Sequence, residues 1–527
     1  MSTATGVHSP QTARNLSASE QPSALPRPSP LLLSSSLAPI LLIPVVLLVH
    51  GYHPFAGDAG IYVAGVRHIL DPALYPVNAA FVMAFAKYSA FPWVMAALVR
   101  LSHLPLSAVL FAAHLLSIFL FLSAFRSLAG RLFAGESARW CSTLLAAACF
   151  TLPVAGTALF IMDPYVTARS FSTPLSLMAV AACIDGAWRR TVLLLAITAL
   201  IHPLMALYAA AFVALHALVT SGRVRAAFSL CIAALVACRL AFALARSSPV
   251  SAAYLQAISL PPRTFLFLAR WRWYEMLGLA LPLLLFALAL RRLGPADRKG
   301  ALCLTCLLLG ITSCLVAALF VPPSGPCLLV RFQVLRSFHA IYALGIVLSG
   351  GVLAALFTRS RLAAASLIIV LFAGMFAAQR FAWSGSRSIE WPGSQPSSPW
   401  QHAFLWIRNN TPRDAVFAFD PRLVYLPEED EQGFRAITER DHLADDKDAG
   451  IVAVFPSLAD RWAQQRNTQF SVNRMTDAER IAALIPLGAR WLLLPPDSVT
   501  TFACPYRNRV VQVCRMSTDP KWLPMPR

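Results

Sequence analysis

Long apolar runs follow one another through the first 380 residues, and this recurrence constrains the fold more than any other feature of the chain. About 20 apolar residues suffice to cross the hydrocarbon core of a bilayer as a helix. Hydrophobic residues make up 57% of the 527 positions and charged residues only 13%. This pattern excludes a soluble enzyme and predicts an α-helical polytopic membrane protein.

The apolar runs predict about eleven transmembrane helices. One stretch, 191–219, is interrupted by Ile201-His202-Pro203, so it is either a short hairpin or one kinked helix. We adopt the hairpin because it alone keeps all later basic loops on one side of the membrane. The predicted spans are 31–50, 104–125, 141–161, 172–188, 191–201, 203–219, 226–246, 275–290, 301–321, 338–357 and 362–380.

Short arginine-rich loops fix the predicted orientation, because such loops are retained in the cytoplasm. A cytoplasmic N-terminus places the basic loops 126–139, 189–190, 223–225, 291–299 and 359–361 inside. The sequence therefore predicts a multi-pass membrane protein with a cytoplasmic N-terminus and an extracytoplasmic C-terminal region. The predicted extracytoplasmic segments are 51–103, 163–170, 247–274, 322–338 and 381–527.

Three regions follow from this pattern: a disordered cytoplasmic tail (1–30), a transmembrane domain (31–380) and a small extracytoplasmic α/β domain (381–527). In the last region WQHAFLWIRNN and DAERIAALIPL read as helices, and AVFAF, WLLLP and RVVQVCRM as strands. The region has no Gly-rich phosphate loop and no His/Cys metal cluster, so no motif for independent catalysis is visible. Cys504 and Cys514 can close a disulfide across a hairpin if this region is extracytoplasmic.

The charges are unevenly distributed. Only eight of the 25 acidic residues precede Glu390, and residues 381–527 contain as many basic as acidic side chains. The net charge of +19 therefore lies in the membrane part. It argues against a nucleic-acid partner and for arginines that fix topology or meet anionic headgroups and phosphates.

Asp58 follows the first apolar run by eight residues, in HPFAGDAGIY. It is either the N-cap of an interfacial helix or a carboxylate held in a fixed direction, as a general base must be. Residue types alone leave both roles open.

Asp163 and Arg169 lie in DPYVTARS, directly after another apolar run. One interpretation is structural: Asp163-Pro164 starts a turn and caps the next helix, while Arg169 anchors that helix at the headgroups. The other is functional, since acids are rare in the membrane part and Asp163 is predicted on the same face as Asp58.

Arg331 and Arg336 run against the topology rule, because they are basic residues in a predicted extracytoplasmic loop. A guanidinium can hold a phosphate by paired hydrogen bonds, and the alternative is contact with anionic lipid headgroups. His202, beside Pro203, is either a site residue or a satisfied helix end. Further groups on this surface are Arg246, Arg263, Arg270, Arg272, Gln333 and His339, and Trp271, Trp273 and Tyr274 are interpreted as an interfacial aromatic belt.

These segments together resemble the GT-C class of membrane glycosyltransferases, which take a sugar from a polyprenyl phosphate carrier. The resemblance is carried by HPFAGDAGIY, DPYVTARS and VRFQVLRSFH, and the chain also looks like bacterial polytopic membrane proteins that share WIRNNTP and FRAITERDHLADDKD in an outer tail. It implies that Asp58 is the base or acceptor-orienting group and Asp163 a second acid. The residues implied to hold the carrier phosphate are Arg169, Arg331, Arg336 and His202.

The first loop has one acid where many members of that class have an adjacent pair, so no cofactor is assigned and a divalent metal is left open. The implied reaction is an inverting, carboxylate-assisted transfer of a hexose or pentose. Its donor is a polyprenyl-phosphate sugar, and its acceptor is an envelope glycan, lipid or protein on the extracytoplasmic face. The partners are this donor, the acceptor and membrane lipids, with no nucleic acid.

The alternative function is a non-enzymatic transporter or flippase of anionic lipid-linked substrates. Such a protein needs charged groups along a path inside its helices. The candidates for that path are Asp185, Arg239 and His216. The sequence leaves the choice between enzyme and transporter open.

Overall fold

The computed structural model describes residues 38–245, 250–323 and 328–516. The predicted disordered tail 1–30 and Arg246 lie outside the described residues. From Pro39 onward the chain forms one compact unit. The division into a transmembrane and a C-terminal domain at residue 380 stays a prediction.

The part of the chain before residue 383 is built from helices. The helices of its first half are α1 Ile43–His50, α2 Gly57–Leu70, α3 Ala79–Val82, α4 Phe91–Ser102, α5 Leu106–Leu132, α6 Glu136–Ala148, α7 Ala168–Ile184 and α8 Trp188–Ile201. Those of its second half are α9 Pro203–Thr220, α10 Val224–Ala245, α11 Ala252–Ser259, α12 Trp273–Leu293, α13 Arg298–Phe320, α14 Phe338–Arg359 and α15 Arg361–Ala382.

Seven helices among the described residues are long and apolar enough to cross a membrane. Three of them, α10, α12 and α15, expose apolar side chains such as Leu240, Leu284 and Val370, which suits contact with lipid tails. The prediction of an α-helical polytopic membrane protein is confirmed, while the count of eleven crossings stays a prediction. The seven are α5, α9, α10, α12, α13, α15 and the stretch Leu329–Arg359 that contains α14.

The stretch 191–219 forms two helices, because the chain leaves the helical conformation at His202. The backbone there is extended, with φ −150° and ψ 92°, and Pro203 starts the next helix, where its missing N–H costs nothing. Helix α7 packs against both α8 and α9. This arrangement matches the hairpin alternative.

Basic loops gather at one end of the helix bundle. Arg131, at the end of α5, donates to Asp185 beyond α7 at 2.6 Å, and Lys299 lies over the ring of Phe133 at 4.9 Å. Three of the five predicted cytoplasmic loops thus lie next to one another. We name the opposite end, which carries the segments 51–105, 149–167, 250–272 and 328–337 and the C-terminal region, the cavity side.

The C-terminal region contains a five-stranded sheet with strand order β2-β1-β3-β5-β4. Strand β1 runs parallel to β2 and β3, and β5 runs antiparallel to β3 and β4. The predicted small α/β domain is confirmed, although the strands β2 and β4 were not predicted. The strands are β1 Val416–Ala418, β2 Asp441–His442, β3 Trp491–Leu494, β4 Ala503–Arg507 and β5 Gln512–Arg515, and the helices are α16 Pro399–Asn410, α17 Phe434–Thr438, α18 Ala449–Val454, α19 Ala459–Gln469 and α20 Asp477–Leu484.

Cys504 of β4 and Cys514 of β5 form a disulfide, a pairing that the sequence left open. Their strands pair through register-shifted antiparallel contacts, so the bond closes the hairpin at the edge of the sheet. Disulfides of this kind persist in oxidising compartments.

The C-terminal region is fastened to the first loop of the membrane part. The Asp441 carboxylate accepts hydrogen bonds from the backbone N–H groups of Val77 and Asn78 at 2.8 and 2.7 Å. Gly60 of α2 meets Gly433 so closely that a Cβ on Gly60 would lie 2.7 Å from the Gly433 Cα atom. Only glycine permits such an approach of two backbones. Helix α2, which carries Asp58, is therefore fixed in place by its contacts with the C-terminal region.

Candidate functional site

A cavity of about 440 Å³, here named the central cavity, opens on the cavity side. Its walls come from α2, from Phe85, Tyr88 and Ser89, from the junction of α8 and α9, from the segments 263–265 and 328–336, and from the C-terminal region. Several elements that are distant in sequence therefore contribute to one space. The charged side chains that line it are Asp58, Arg169, Arg263, Arg331, Arg336 and Lys447.

Asp58 reaches this cavity from the first turn of α2. The N-cap residue of that helix is Ala56, which makes no side-chain cap hydrogen bond, so the interpretation of Asp58 as an N-cap was wrong. Its Oδ2 atom instead accepts from Arg169 Nη1 at 2.9 Å, and its Oδ1 atom lies 3.7 Å from Lys447 Nζ. Because 38% of the side chain remains exposed, the carboxylate can also meet a ligand.

Gly57 sets the direction in which α2 starts. Its φ of +54° belongs to the left-handed region, and a Cβ there would lie 2.5 Å from the Tyr165 hydroxyl. A larger residue would shift both the loop and the helix. The motif Gly57-Asp58 thus places the carboxylate at the cavity wall.

Arg169 links the two predicted acids. Its Nη1 donates to Asp58 and its Nη2 donates to Asp163 Oδ2, both at 2.9 Å. Asp163 is only 3% exposed and does not line the cavity, so it holds Arg169 from behind. The interpretation of Asp163 as the cap of the next helix was wrong, because Thr167 and Ser170 form the capping box of α7. The interpretation of Arg169 as an anchor at the headgroups was wrong as well, because its side chain is buried.

The two carboxyl groups have different electrostatic surroundings. Burial alone would raise the pKa of Asp58, but the charges of Arg169 and Lys447 outweigh it and hold that pKa well below its usual range. Burial raises the pKa of Asp163, and Arg169 only partly opposes this effect. Asp58 is therefore the carboxyl group that stays ionised and accessible, which makes it a hydrogen-bond acceptor more than a strong base.

Three arginines present positive charge that no carboxylate balances. Arg331 Nε donates to the Val454 carbonyl at 3.1 Å, and Arg336 Nε to the Thr157 carbonyl at 3.3 Å. Arg263 Nη2 donates to carbonyl oxygens of the C-terminal region at 3.0 Å. These three side chains form no ion pair within 4.0 Å among the described residues. The cavity therefore has the charge surplus that an anionic ligand requires.

His202 lies at the cavity wall and also caps α9. Its Nδ1 accepts from the Met205 N–H at 3.4 Å, so the satisfied-helix-end interpretation is correct in part. Burial and the charges of Arg169 and Arg336 lower its pKa to about 3. The ring is neutral at physiological pH and contributes a hydrogen-bonding group, not a cation.

The remaining wall is apolar and aromatic. Tyr88 and Phe455 stack at 5.4 Å between ring centroids and connect the first loop to the C-terminal region. Leu204 is half-buried and lies at the start of α9. Leu328 and Phe332 are each more than 40% exposed and also line the cavity. This wall suits an apolar chain that arrives from the bilayer.

Other predicted residues are divided between the cavity and its surroundings. Gln333 lines the cavity, but His339 is buried and bonded to the Ile161 carbonyl at 2.8 Å. Trp273 and Tyr274 are exposed as a belt requires, while Trp271 is buried and packs on Gly156, so its assignment to the belt was wrong. Arg270 and Arg272 do not line the cavity.

Lys447 is the site residue that the sequence did not reveal. It lies in FRAITERDHLADDKD, where alternating charges read as a solvated surface. No local signal distinguishes it, because its position depends on how the C-terminal region packs on α2. Among the described residues no group of three or more His, Cys, Asp or Glu side chains has the arrangement of a metal site.

No protein-family model and no curated protein matches the chain. Among solved structures, the chain is similar to the archaeal oligosaccharyltransferase AglB from Archaeoglobus fulgidus, in a complex with an inhibitory peptide and a dolichol-phosphate. The match has 11% sequence identity and a TM-score of 0.49, and covers 88% of this chain and 69% of that chain.

Proposed function

We propose that this protein is a membrane glycosyltransferase that moves a sugar from a polyprenyl-phosphate carrier to an acceptor hydroxyl. The observation that carries the proposal is the central cavity: one ionised carboxylate faces a group of cations beside an apolar wall. A lipid-linked sugar phosphate needs cations for its phosphate, an apolar wall for its chain, and an acceptor-orienting group near its anomeric carbon. All three are within one space of about 440 Å³.

In the proposed mechanism the phosphate lies against Arg331 and Arg336, with Arg263 adding positive charge. Guanidinium groups without a carboxylate partner are free to bind phosphate oxygens, and they remain charged at any working pH. His202 contributes a neutral hydrogen bond. As the bond from the anomeric carbon to the phosphate oxygen breaks, the negative charge that develops on the leaving phosphate is stabilised by these cations.

Asp58 orients the acceptor. Its carboxylate accepts a hydrogen bond from the acceptor hydroxyl, which attacks the anomeric carbon opposite the phosphate with inversion. The hydroxyl becomes acidic as the new C–O bond forms, so a weakly basic carboxylate suffices to take the proton and pass it to water. Asp163 fixes Arg169, and Arg169 in turn fixes Asp58. The products are the glycosylated acceptor and the polyprenyl phosphate.

We further propose that the cavity side is extracytoplasmic, in the inner membrane of a bacterium. The basic loops lie at the other end of the bundle, where the positive-inside rule places the cytoplasm. The disulfide between Cys504 and Cys514 requires an oxidising compartment. The acceptor is then an envelope glycan, lipid or protein.

The transporter alternative lacks the charged path that it needs. Asp185 pairs with Arg131 at the end of the bundle, Arg239 is exposed on α10, and His216 bonds to Thr305 at 3.1 Å. None of the three predicted path residues lines the central cavity.

Proteoliposomes that contain the purified protein test the proposal. They are given a panel of polyprenyl-phosphate sugars with labelled hexoses or pentoses, together with an envelope extract as the source of acceptors. We expect one labelled sugar to leave its carrier and appear in a second product. Movement of the intact labelled lipid across the bilayer without transfer would favour the transporter instead.

A further inference from the structure

Lys447 belongs to the C-terminal region but reaches the carboxylate of Asp58. Its Nζ atom lies 2.9 Å from Glu431 Oε2 and 3.7 Å from Asp58 Oδ1. The side chain lines the central cavity and is 20% exposed. One ammonium group is thus shared between an acid of the membrane part and an acid of the C-terminal region.

The backbone that carries Lys447 is rigid. The Arg435 guanidinium binds both oxygens of Asp448 at 3.0 and 3.1 Å, and Asp446 pairs with Arg466 at 2.9 Å. Arg263, itself a cavity residue, donates to the Lys447 carbonyl at 3.0 Å. A flexible four-carbon side chain therefore extends from a fixed point at the cavity wall, and its ammonium group can change partners while the backbone stays in place.

We propose that Lys447 is a positioning residue that exchanges partners during the reaction. Before the donor binds, its ammonium forms an ion pair with Asp58 Oδ1 at 3.7 Å, which competes with other partners for that oxygen. When a lipid-linked phosphate enters, the ammonium moves to the phosphate and Oδ1 becomes free for the acceptor hydroxyl. Donor binding would in this way prepare the carboxylate for the acceptor, and the C-terminal region would supply the residue that couples the two events.

This inference rests on the proposed function, and the two are tested separately. Farnesyl phosphate, a short polyprenyl phosphate, and farnesol, its uncharged analogue, are titrated into the purified protein in nanodiscs. If the wild type does not prefer farnesyl phosphate to farnesol, the proposed function fails. If it does, Lys447→Met decides the inference.

For Lys447→Met we expect affinity for farnesyl phosphate to fall on the order of 10-fold, the effect of one charge-assisted hydrogen bond, with farnesol binding unchanged. Lys447→Arg should restore most of the preference. Lys87→Met is the matched control, because Lys87 is exposed on the same side and does not line the cavity. An equal loss of affinity for farnesyl phosphate and for farnesol would indicate a structural role and overturn the inference. A Lys447→Met variant that prefers farnesyl phosphate to farnesol as strongly as the wild type would overturn it too.

A kinetic measurement separates the coupling from simple binding. In the transfer assay Lys447→Met should raise the KM for the donor. In the wild type the KM for the acceptor should fall as the donor concentration rises, whereas in Lys447→Met Oδ1 is free without donor, so the KM for the acceptor should not depend on the donor concentration. Glu431→Gln removes the other partner of the ammonium but leaves its charge, so it should retain the preference for farnesyl phosphate. A Lys447→Met variant whose acceptor KM falls with donor concentration as in the wild type would contradict the coupling.

Discussion

Replacing Asp58 by Asn tests the assignment of the acceptor-orienting group. Asn has nearly the same shape and can still accept a hydrogen bond from Arg169, which also keeps Asp163 as a partner at 2.9 Å. The lost ion pair is partly exposed, since 38% of the Asp58 side chain is accessible. Such a pair contributes about 1 kcal/mol or less, so Asp58→Asn should fold as the wild type does.

The expected kinetic effect of Asp58→Asn is a fall in kcat of about 10²- to 10⁴-fold, the usual contribution of a positioned acid or base. This corresponds to about 3–5 kcal/mol of barrier. The KM for the donor should not rise, because the cavity wall then keeps its five cationic side chains and loses its one carboxylate. A split of this kind, with kcat lowered and donor binding kept or strengthened, distinguishes an acceptor-orienting group from a phosphate ligand.

The assay measures labelled sugar transferred by protein in nanodiscs at several donor concentrations. Asp71→Asn is the matched control: Asp71 lies in the same loop, is paired with the exposed Arg413 and does not line the cavity. It should transfer at the wild-type rate. If Asp58→Asn has the wild-type kcat, or if it raises only the KM for the donor, the proposed role of Asp58 is refuted.

Three further predictions concern the Asp163–Arg169 ion pair, the pH dependence of stability and the orientation in the membrane. Asp163→Asn should lower the thermal unfolding midpoint in detergent as well as activity, because Asp163 and Arg169 are both buried, at 3% and 9% exposed, unlike the accessible Asp58, and breaking a buried pair costs about 3–5 kcal/mol; an unchanged midpoint would contradict this. Burial, together with the neighbouring Asp448 carboxylate, raises the pKa of Asp445, so the folded state binds the proton more tightly than the unfolded chain. Stability should therefore fall as pH rises from the ordinary Asp pKa of about 4 to the raised pKa of Asp445 in the folded state. In Asp445→Asn the unfolding midpoint should depend less on pH over this range. A cysteine at Val499, which is 93% exposed, should react with an impermeant maleimide added to intact cells, whereas one at Ala296, in a basic loop, should not; the reverse pattern would invert the proposed orientation.

The sequence predicted the membrane architecture because the bilayer imposes a strict length and polarity on each span. The interruption at His202-Pro203 was visible for a different reason: a proline inside a run of helical residues breaks or kinks the helix. The strands β1, β3 and β5 were predicted from short buried runs such as WLLLP. Two strands were not predicted. Strand β4 was considered only as one side of a possible hairpin, and in the two-residue β2 Asp441 and His442 have no strand pattern of their own and pair only through tertiary contacts.

The candidate site was predicted in its parts but not in its arrangement. Asp58, Arg331 and Arg336 were noticed because charge is costly or misplaced where they occur in the sequence. The support of Arg169 by Asp163 was interpreted as two separate local roles, although the structure joins them in one ion-pair chain. Lys447 was missed since its run of alternating charges is typical of a solvated surface, and only the packing of Gly433 on Gly60 brings that run to the cavity.

An experimental structure of the protein in nanodiscs with bound farnesyl phosphate tests the assignment of the central cavity most directly. We expect the phosphate to lie within hydrogen-bond distance of Arg331 or Arg336, with the apolar chain leaving past Leu204 toward the membrane and Asp58 facing the open space beside the phosphate. Farnesyl phosphate bound only on the outer faces of the helices, with the central cavity empty, would contradict it.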